Sequence, residues 1–167
     1  MKKTKFKIVI PIILILITSI IGISISNKIE KYNYKIINTY PHDKNAFTQG
    51  FLYKDGYFYE GTGRYGKSSL RKIDVKTGEI KKIHKLADNF FGEGISILNN
   101  KIYQLTWKSK VGFIYNMNFK LIDKFNYDHE GWGLTNNGKE LIMSDGSNKL
   151  YFLNPDTLEK EKEIEVK

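Results

Sequence analysis

Residues 91–127 read FGEGISILNNKIYQLTWKSKVGFIYNMNFKLIDKFNY, four short apolar runs separated by polar breaks. Ile95 to Leu98, Ile102 to Trp107, Val111 to Tyr115 and Leu121 to Phe125 are each too short for a helix and rich in β-branched and aromatic residues. Asn99-Asn100 and Asn118-Phe119 stand where hairpin turns would join them. Such a pattern predicts four antiparallel strands in sequence order.

Two more segments follow the same order when one glycine anchors the alignment. FTQGFLYKDGYFYEGTGRYGKSSLRKIDVKTGEIKKIHKL begins at Phe47, and EGWGLTNNGKELIMSDGSNKLYFLNPDTLEKEKEIEV begins at Glu130. The anchors Gly50, Gly94 and Gly133 lie 44 and 39 residues apart. Three repeats, over about 47–86, 91–127 and 130–166, therefore predict an all-β fold of four-stranded blades, a β-propeller. Consecutive meanders of a sandwich are the competing reading. A further strand, Tyr34 to Thr39, is expected ahead of the first blade, and no helical period runs through residues 30–167.

The composition agrees, with eleven Tyr and ten Phe in 167 residues and no cysteine. Disulfides, thiolate nucleophiles and Cys-based metal sites are thereby excluded. The net charge of +9 includes four lysines in the first seven residues, so the remainder is only mildly basic. Its lysines are scattered and not gathered with aromatics on one element, which argues against nucleic-acid binding.

Residues 1–29 form a separate segment. A basic MKKTKFK precedes Ile8 to Ile25, eighteen residues without a charge. That length approaches a spanning helix of ~17–25 residues and exceeds a signal-peptide core, which favours an uncleaved anchor over a signal peptide. Ser24-Ile25-Ser26 keeps cleavage and secretion open. With the lysines retained in the cytoplasm, residues 30–167 are expected on the extracytoplasmic side.

Gly61-Thr-Gly-Arg-Tyr-Gly66-Lys67-Ser68 matches the phosphate-loop pattern G-x-x-x-x-G-K-S letter for letter. Its context contradicts a nucleotide role. Ser69 to Val75 and the turn Lys76-Thr77-Gly78 follow at once, leaving no room for the helix whose N-terminus would hold phosphate.

The first strand of each blade lines the axis of a propeller, so the residues beside the anchor glycines converge. Immediately before them stand Gln49, Glu93 and Trp132, three different functional side chains at one repeat position. Glu93, in Phe90-Phe91-Gly92-Glu93-Gly94, is a carboxylate among aromatics and glycines. Desolvation there raises a pKa toward the range useful for proton transfer, although an acid hydrogen-bonded to nearby N–H groups would look the same in sequence. Trp107 and Trp132, the two tryptophans, flank the same end and could wall a small substrate or fill core. His42, His84 and His129 share no ligand spacing, so no metal site is expected.

Several stretches together resemble a known family. YPHDKNAFTQG at 40–50, EGTGRYGKSSLR at 60–71, FGEG at 91–94, IYQLTW at 102–107, and GWGL with SDG between 131 and 146 are similar to the plant and bacterial glutaminyl-peptide cyclotransferases. The resemblance runs through residues 33–167. It implies a five-bladed propeller that converts N-terminal glutaminyl residues of peptides or proteins to pyroglutamate with release of ammonia, without zinc or another cofactor. It also implies Glu93 as the acid/base, Gln49 as an orienting group, and Phe47, Phe91, Trp107 and Trp132 as apolar walls.

About three of the five blades are encoded here. The family pocket also draws an Asn, another Trp and a Lys from later blades, so the chain is expected to be incomplete. The alternative is a non-catalytic cell-surface propeller fragment that binds peptides or proteins.

Overall fold

The computed structural model of the protein describes residues 30–167, and the apolar segment expected as an anchor or signal peptide lies outside them. The chain divides into two units between Asn38 and Thr39. Residues 30–38 of the first are exposed and carry no regular secondary structure. The strand expected at Tyr34 to Thr39 is thus corrected. Its Tyr and Ile content suits a strand, but a strand also needs a neighbouring ladder, and this stretch has none among the described residues.

The second unit holds twelve strands and, among the described residues, no helix. β1 (Thr48–Lys54), β2 (Tyr57–Thr62), β3 (Ser69–Asp74) and β4 (Ile80–Lys85) make one antiparallel sheet in sequence order. β5 (Gly92–Leu98), β6 (Lys101–Thr106), β7 (Val111–Asn116) and β8 (Leu121–Asn126) make the second. β9 (Leu134–Asn136), β10 (Leu141–Ser144), β11 (Lys149–Leu153) and β12 (Lys160–Glu165) make the third.

Turn chemistry sets the hairpins. Asp55 and Gly56 (φ 50° and 82°) and Asn99 and Asn100 (φ 50° and 57°) supply the two positive-φ residues that a tight hairpin requires to match strand twist. Between the third and fourth strands of each sheet, Asp74, Asn116 and Asn154 accept backbone N–H bonds through their side-chain oxygens. The left-handed residue of these turns is Gly78, Phe119 and Leu158 in turn. Phe119 is buried and Leu158 packs on a core cluster, so apolar contact offsets the unfavourable φ. Gly78 has no such option, because a Cβ there would stand 2.6 Å from the Pro41 carbonyl oxygen.

The second sheet is covered on both faces. In β6, Tyr103 and Leu105 join the apolar cluster shared with β9–β11, while Ile102 joins the cluster shared with β2 and β3. Successive residues point to opposite faces of a strand, so one strand seals two interfaces. Leu105→Ala would cost about 2–5 kcal/mol. In β10, by contrast, buried Leu141 and Met143 alternate with half-exposed Ile142 and Ser144.

The inner strands β1, β5 and β9 are neighbours through their glycines. A Cβ on Gly50 would lie 2.5 Å from the backbone nitrogen of Ile95, and one on Gly94 would lie 2.5 Å from both Leu134 N and Trp132 O. Gly94 N–H donates to Trp132 O at 2.8 Å. The glycine that anchors the repeat in sequence is therefore the point of closest backbone approach between successive sheets. Among the described residues, a Cβ on Gly133, the third anchor, would meet only Ser144 Oγ of its own sheet.

Candidate active site

Both polar residues beside the inner glycines sit in irregularities of their strands. The β1–β2 register slips between Thr48 and Gly50, and the β5–β6 register slips between Gly92 and Ile95. A bulge re-aims the side chain it contains. Gln49 and Glu93 are turned toward each other, and Gln49 Nε2–H donates to Glu93 Oε2 at 2.7 Å.

A cavity of about 190 Å³ opens on this pair and is lined by Gln49, Phe91, Glu93, Trp107 and Trp132. It is smaller than the ~300–1,000 Å³ of pockets for drug-sized ligands and suits a single side chain. Glu93 is 8% exposed. Burial lifts its carboxyl to about pH 7, against the pull of the Gln49 hydrogen bond and with a further upward push from the negative charge of Glu130. A carboxyl poised near neutrality can both accept and return a proton.

Glycines elsewhere make room for the aromatic walls. A Cβ on Gly63 would run into the Phe91 ring, and one on Gly146 would lie 2.9 Å from Trp132 Cε2. Phe91 meets Trp107 edge to face, with ring centroids 5.6 Å apart. Phe47 is not part of the lining. Its ring stands behind Phe91 at 6.1 Å, 42% exposed, because Phe91 itself fills the space next to Gln49.

Glu130 is the site residue that sequence reasoning missed. Its carboxylate accepts from Trp107 Nε1–H at 2.6 Å and from Trp132 Nε1–H at 3.1 Å, tying the two indoles of the pocket to one point. The bonds from Trp132 and Trp107 hold its pKa below the usual carboxylate value, so it stays charged beside a Glu93 that titrates near neutrality. The signal available was an acid two residues ahead of Trp132 in EGWG.

The other residues considered for chemistry lie apart. His42 bonds to Glu60, His84 packs on Tyr115 and His129 stacks on Tyr151. Among the described residues no group of three or more His, Cys, Asp or Glu side chains converges. The stretch that imitates a phosphate loop joins β2 to β3 and is followed by strand, not helix. Gly66 N–H donates to Asp88 O, and Lys67 N–H and Ser68 Oγ–H donate to Arg64 O, so these donors are used within the protein.

The sequence model of the family described as glutamine cyclotransferase matches residues 9–167. The glutaminyl-peptide cyclotransferase of Arabidopsis thaliana is 39% identical over 127 residues, which cover 74% of this chain and 40% of that protein. The crystal structure of Myxococcus xanthus glutaminyl cyclase superposes with a TM-score of 0.73 at 34% identity, over 80% of this chain and 56% of that one. The chain thus spans about half or less of the length of these relatives. The WD40 domain of Neurospora crassa Pan2, at 12% identity and a TM-score of 0.60, shares the propeller-like arrangement of sheets alone.

Proposed function

The chain belongs to the glutamine cyclotransferase family, and from that premise we propose that it contributes the proton-transfer half of a site that cyclises N-terminal glutaminyl residues of peptides or proteins to pyroglutamate. The observation that carries this reading is the Glu93 carboxyl, lifted to about pH 7 in a small cavity where Gln49 holds one oxygen at 2.7 Å. The substrate's α-amino nitrogen forms a bond to its own side-chain amide carbon, and the bond from that carbon to the amide nitrogen breaks. Glu93, as carboxylate, takes one proton from the attacking amine and returns it to the departing nitrogen, which leaves as ammonia. The carboxylate is then restored, so one group performs both transfers.

Gln49 orients the carboxylate. Phe91, Trp107 and Trp132 wall the glutaminyl stem and exclude water, with Phe47 backing Phe91. The three sheets are proposed as an arc of a five-bladed ring, supported by Gly133, whose open side matches the side on which Gly50 and Gly94 receive the next sheet. Residues 1–29 are proposed as an anchor or signal peptide that places residues 30–167 outside the cytoplasm, on the strength of the basic start and the uncharged run from Ile8 to Ile25.

Incubation with a Gln-Gly-Gly peptide should release one ammonia per pyroglutamyl product, and the N-acetylated peptide, which has no nucleophilic amine, should release none. Ammonia from both peptides would overturn the ring-closing reading. Binding of the first peptide without ammonia would support the second reading, a non-catalytic peptide-binding propeller segment.

A further inference from the structure

A second and larger space lies on the far side of Phe47. It is a cleft of about 660 Å³, bounded by the turn at Asp43–Ala46, the β2–β3 loop from Gly63 to Ser68 with the start of β3, and the end of β4 with Leu86 and Asp88. Phe47 and Gly63 line the cleft, while the Phe91 ring that presses on both lines the small cavity. The two spaces are separated by one aromatic layer. The 6.1 Å between the Phe47 and Phe91 centroids equals about two residues of extended chain at ~3.3–3.6 Å each.

Charge in the cleft is one-sided. Lys44, Arg64, Lys67, Arg71 and Lys85 border it, against Asp43 and Asp88. Asp43 is taken up by Arg71, with a nitrogen–oxygen distance of 3.0 Å. Among the described residues Lys44, Arg64, Lys67 and Lys85 form no ion pair, and all four are exposed.

Arg64 adds an independent observation. Its φ is 83°, a conformation that costs a non-glycine residue energy, and strain of this kind gathers at functional sites. The bend lays its guanidinium over the Phe47 ring, 4.6 Å from the centroid, at the boundary between cleft and cavity. The loop that imitates a phosphate-binding motif thus offers side-chain cations to a groove, not backbone N–H groups to a phosphate.

We propose that this cleft receives the part of the substrate that follows the N-terminal glutaminyl residue, and that it selects peptides with carboxylates from about the third residue onward. The inference rests on the cyclisation reading for what occupies the small cavity, but the charge selection is measurable without turnover. Arg64 meets the chain as it leaves the pocket over Phe47, and Lys67 and Lys85 meet the acidic side chains beyond it.

The test compares two peptides labelled at the C-terminus, Gln-Gly-Asp-Glu-Asp and Gln-Gly-Lys-Gln-Lys, binding to the full chain by fluorescence anisotropy, with ammonia release from Gln-Gly followed separately. The acidic peptide should bind about tenfold more tightly at low salt, as expected of two to three exposed pairs, and the margin should shrink at high salt. Lys67→Glu with Lys85→Glu should abolish or reverse the margin. Lys120→Glu with Lys139→Glu, an equal change in net charge elsewhere, should leave it in place. Equal affinities, or a margin lost equally in both double variants, would overturn the cleft. So would a single-stranded oligonucleotide that outcompetes the acidic peptide and loses its grip in the first double variant only. No ammonia from Gln-Gly with the acidic margin intact would sink the cyclisation reading and leave the cleft standing.

Discussion

Two glutamates in adjacent sheets are withdrawn from solvent, Glu60 in β2 and Glu93 in β5, and their surroundings are opposite in kind. Glu60 accepts bonds from His42 Nε2 at 2.9 Å and Thr48 Oγ1 at 2.5 Å, and Arg71 Nη1 stands 3.6 Å from its other oxygen. Glu93 has one amide donor, three aromatic walls and a negative neighbour, Glu130. A buried carboxylate met by two donors and an arginine ties segments together. One denied cations is left able to change its protonation state. Burial is common to both, so it is the groups around each carboxyl that separate their roles.

The largest effect should come from removing the chemistry and leaving the shape. Glu93→Gln keeps an isosteric partner for Gln49 and should lower kcat/KM for a glutaminyl peptide by about a hundred- to ten-thousandfold, the usual contribution of a positioned acid/base. Thermal melting of that variant should be no lower than that of the parent, since a desolvated acid has been replaced by a neutral group. A variant that retained the parent rate would remove Glu93 from the mechanism and erase the distinction between the two glutamates.

The complementary change is Glu60→Ala. It strands Arg71, only 12% exposed in its side chain, beside Asp43 alone, and unpins the turn carrying His42 from β2. Breaking a buried ion pair by deleting one partner costs about 3–5 kcal/mol, so denaturant unfolding should shift by that order. The rate per folded molecule should stay near that of the parent. A large loss of rate with unchanged stability would show that Glu60 is not a structural acid.

Linkage sharpens the contrast. The folded-state pKa of Glu93 is raised from 4.5 to about 7, so the folded protein binds this proton more tightly than the unfolded chain. Its contribution to stability is fully present below pH 4.5 and is lost as pH rises through 7. Denaturation midpoints measured between pH 4.5 and 7.5 should therefore fall with rising pH in the parent relative to Glu93→Gln. Identical slopes in the two proteins would mean that burial does not perturb Glu93.

The parts of this comparison were unequally legible in the sequence. Hairpins and inner strands could be read because backbone geometry leaves local marks, as at Asp55-Gly56 and at the glycine that allows β1, β5 and β9 to touch. Residues 34–39 carried the composition of a strand without a partner, which composition cannot report. Glu93 could be singled out by its aromatic and glycine neighbours. The bulges at Gln49 and Glu93 could not, because register is a relation between strands. Glu60, and the second partner of Glu130, were hidden for the same reason. Trp132 stands two residues from Glu130 and left a local mark, whereas Trp107, 23 residues away, and His42 and Thr48, 18 and 12 residues from Glu60, are brought in only by the folding of the sheets.

Glu130 supplies the smallest and most discriminating test. Its carboxylate does two things at once, holding both indole N–H groups and placing a negative charge near Glu93. Both indoles donate to one oxygen of Glu130, so Glu130→Gln keeps an acceptor for them but removes the charge that strengthens both bonds. Looser placement of the tryptophans should lower kcat/KM by roughly three- to tenfold, because small errors in substrate orientation are costly. Removal of the charge should also lower the pKa of Glu93, since the repulsion that disfavours its carboxylate is gone. The acid limb of the kcat/KM profile would then move to lower pH, while a residue that merely braced the fold would reduce the rate without moving the limb. A limb that stayed in place would leave burial by the aromatic walls as the sole cause of the raised pKa.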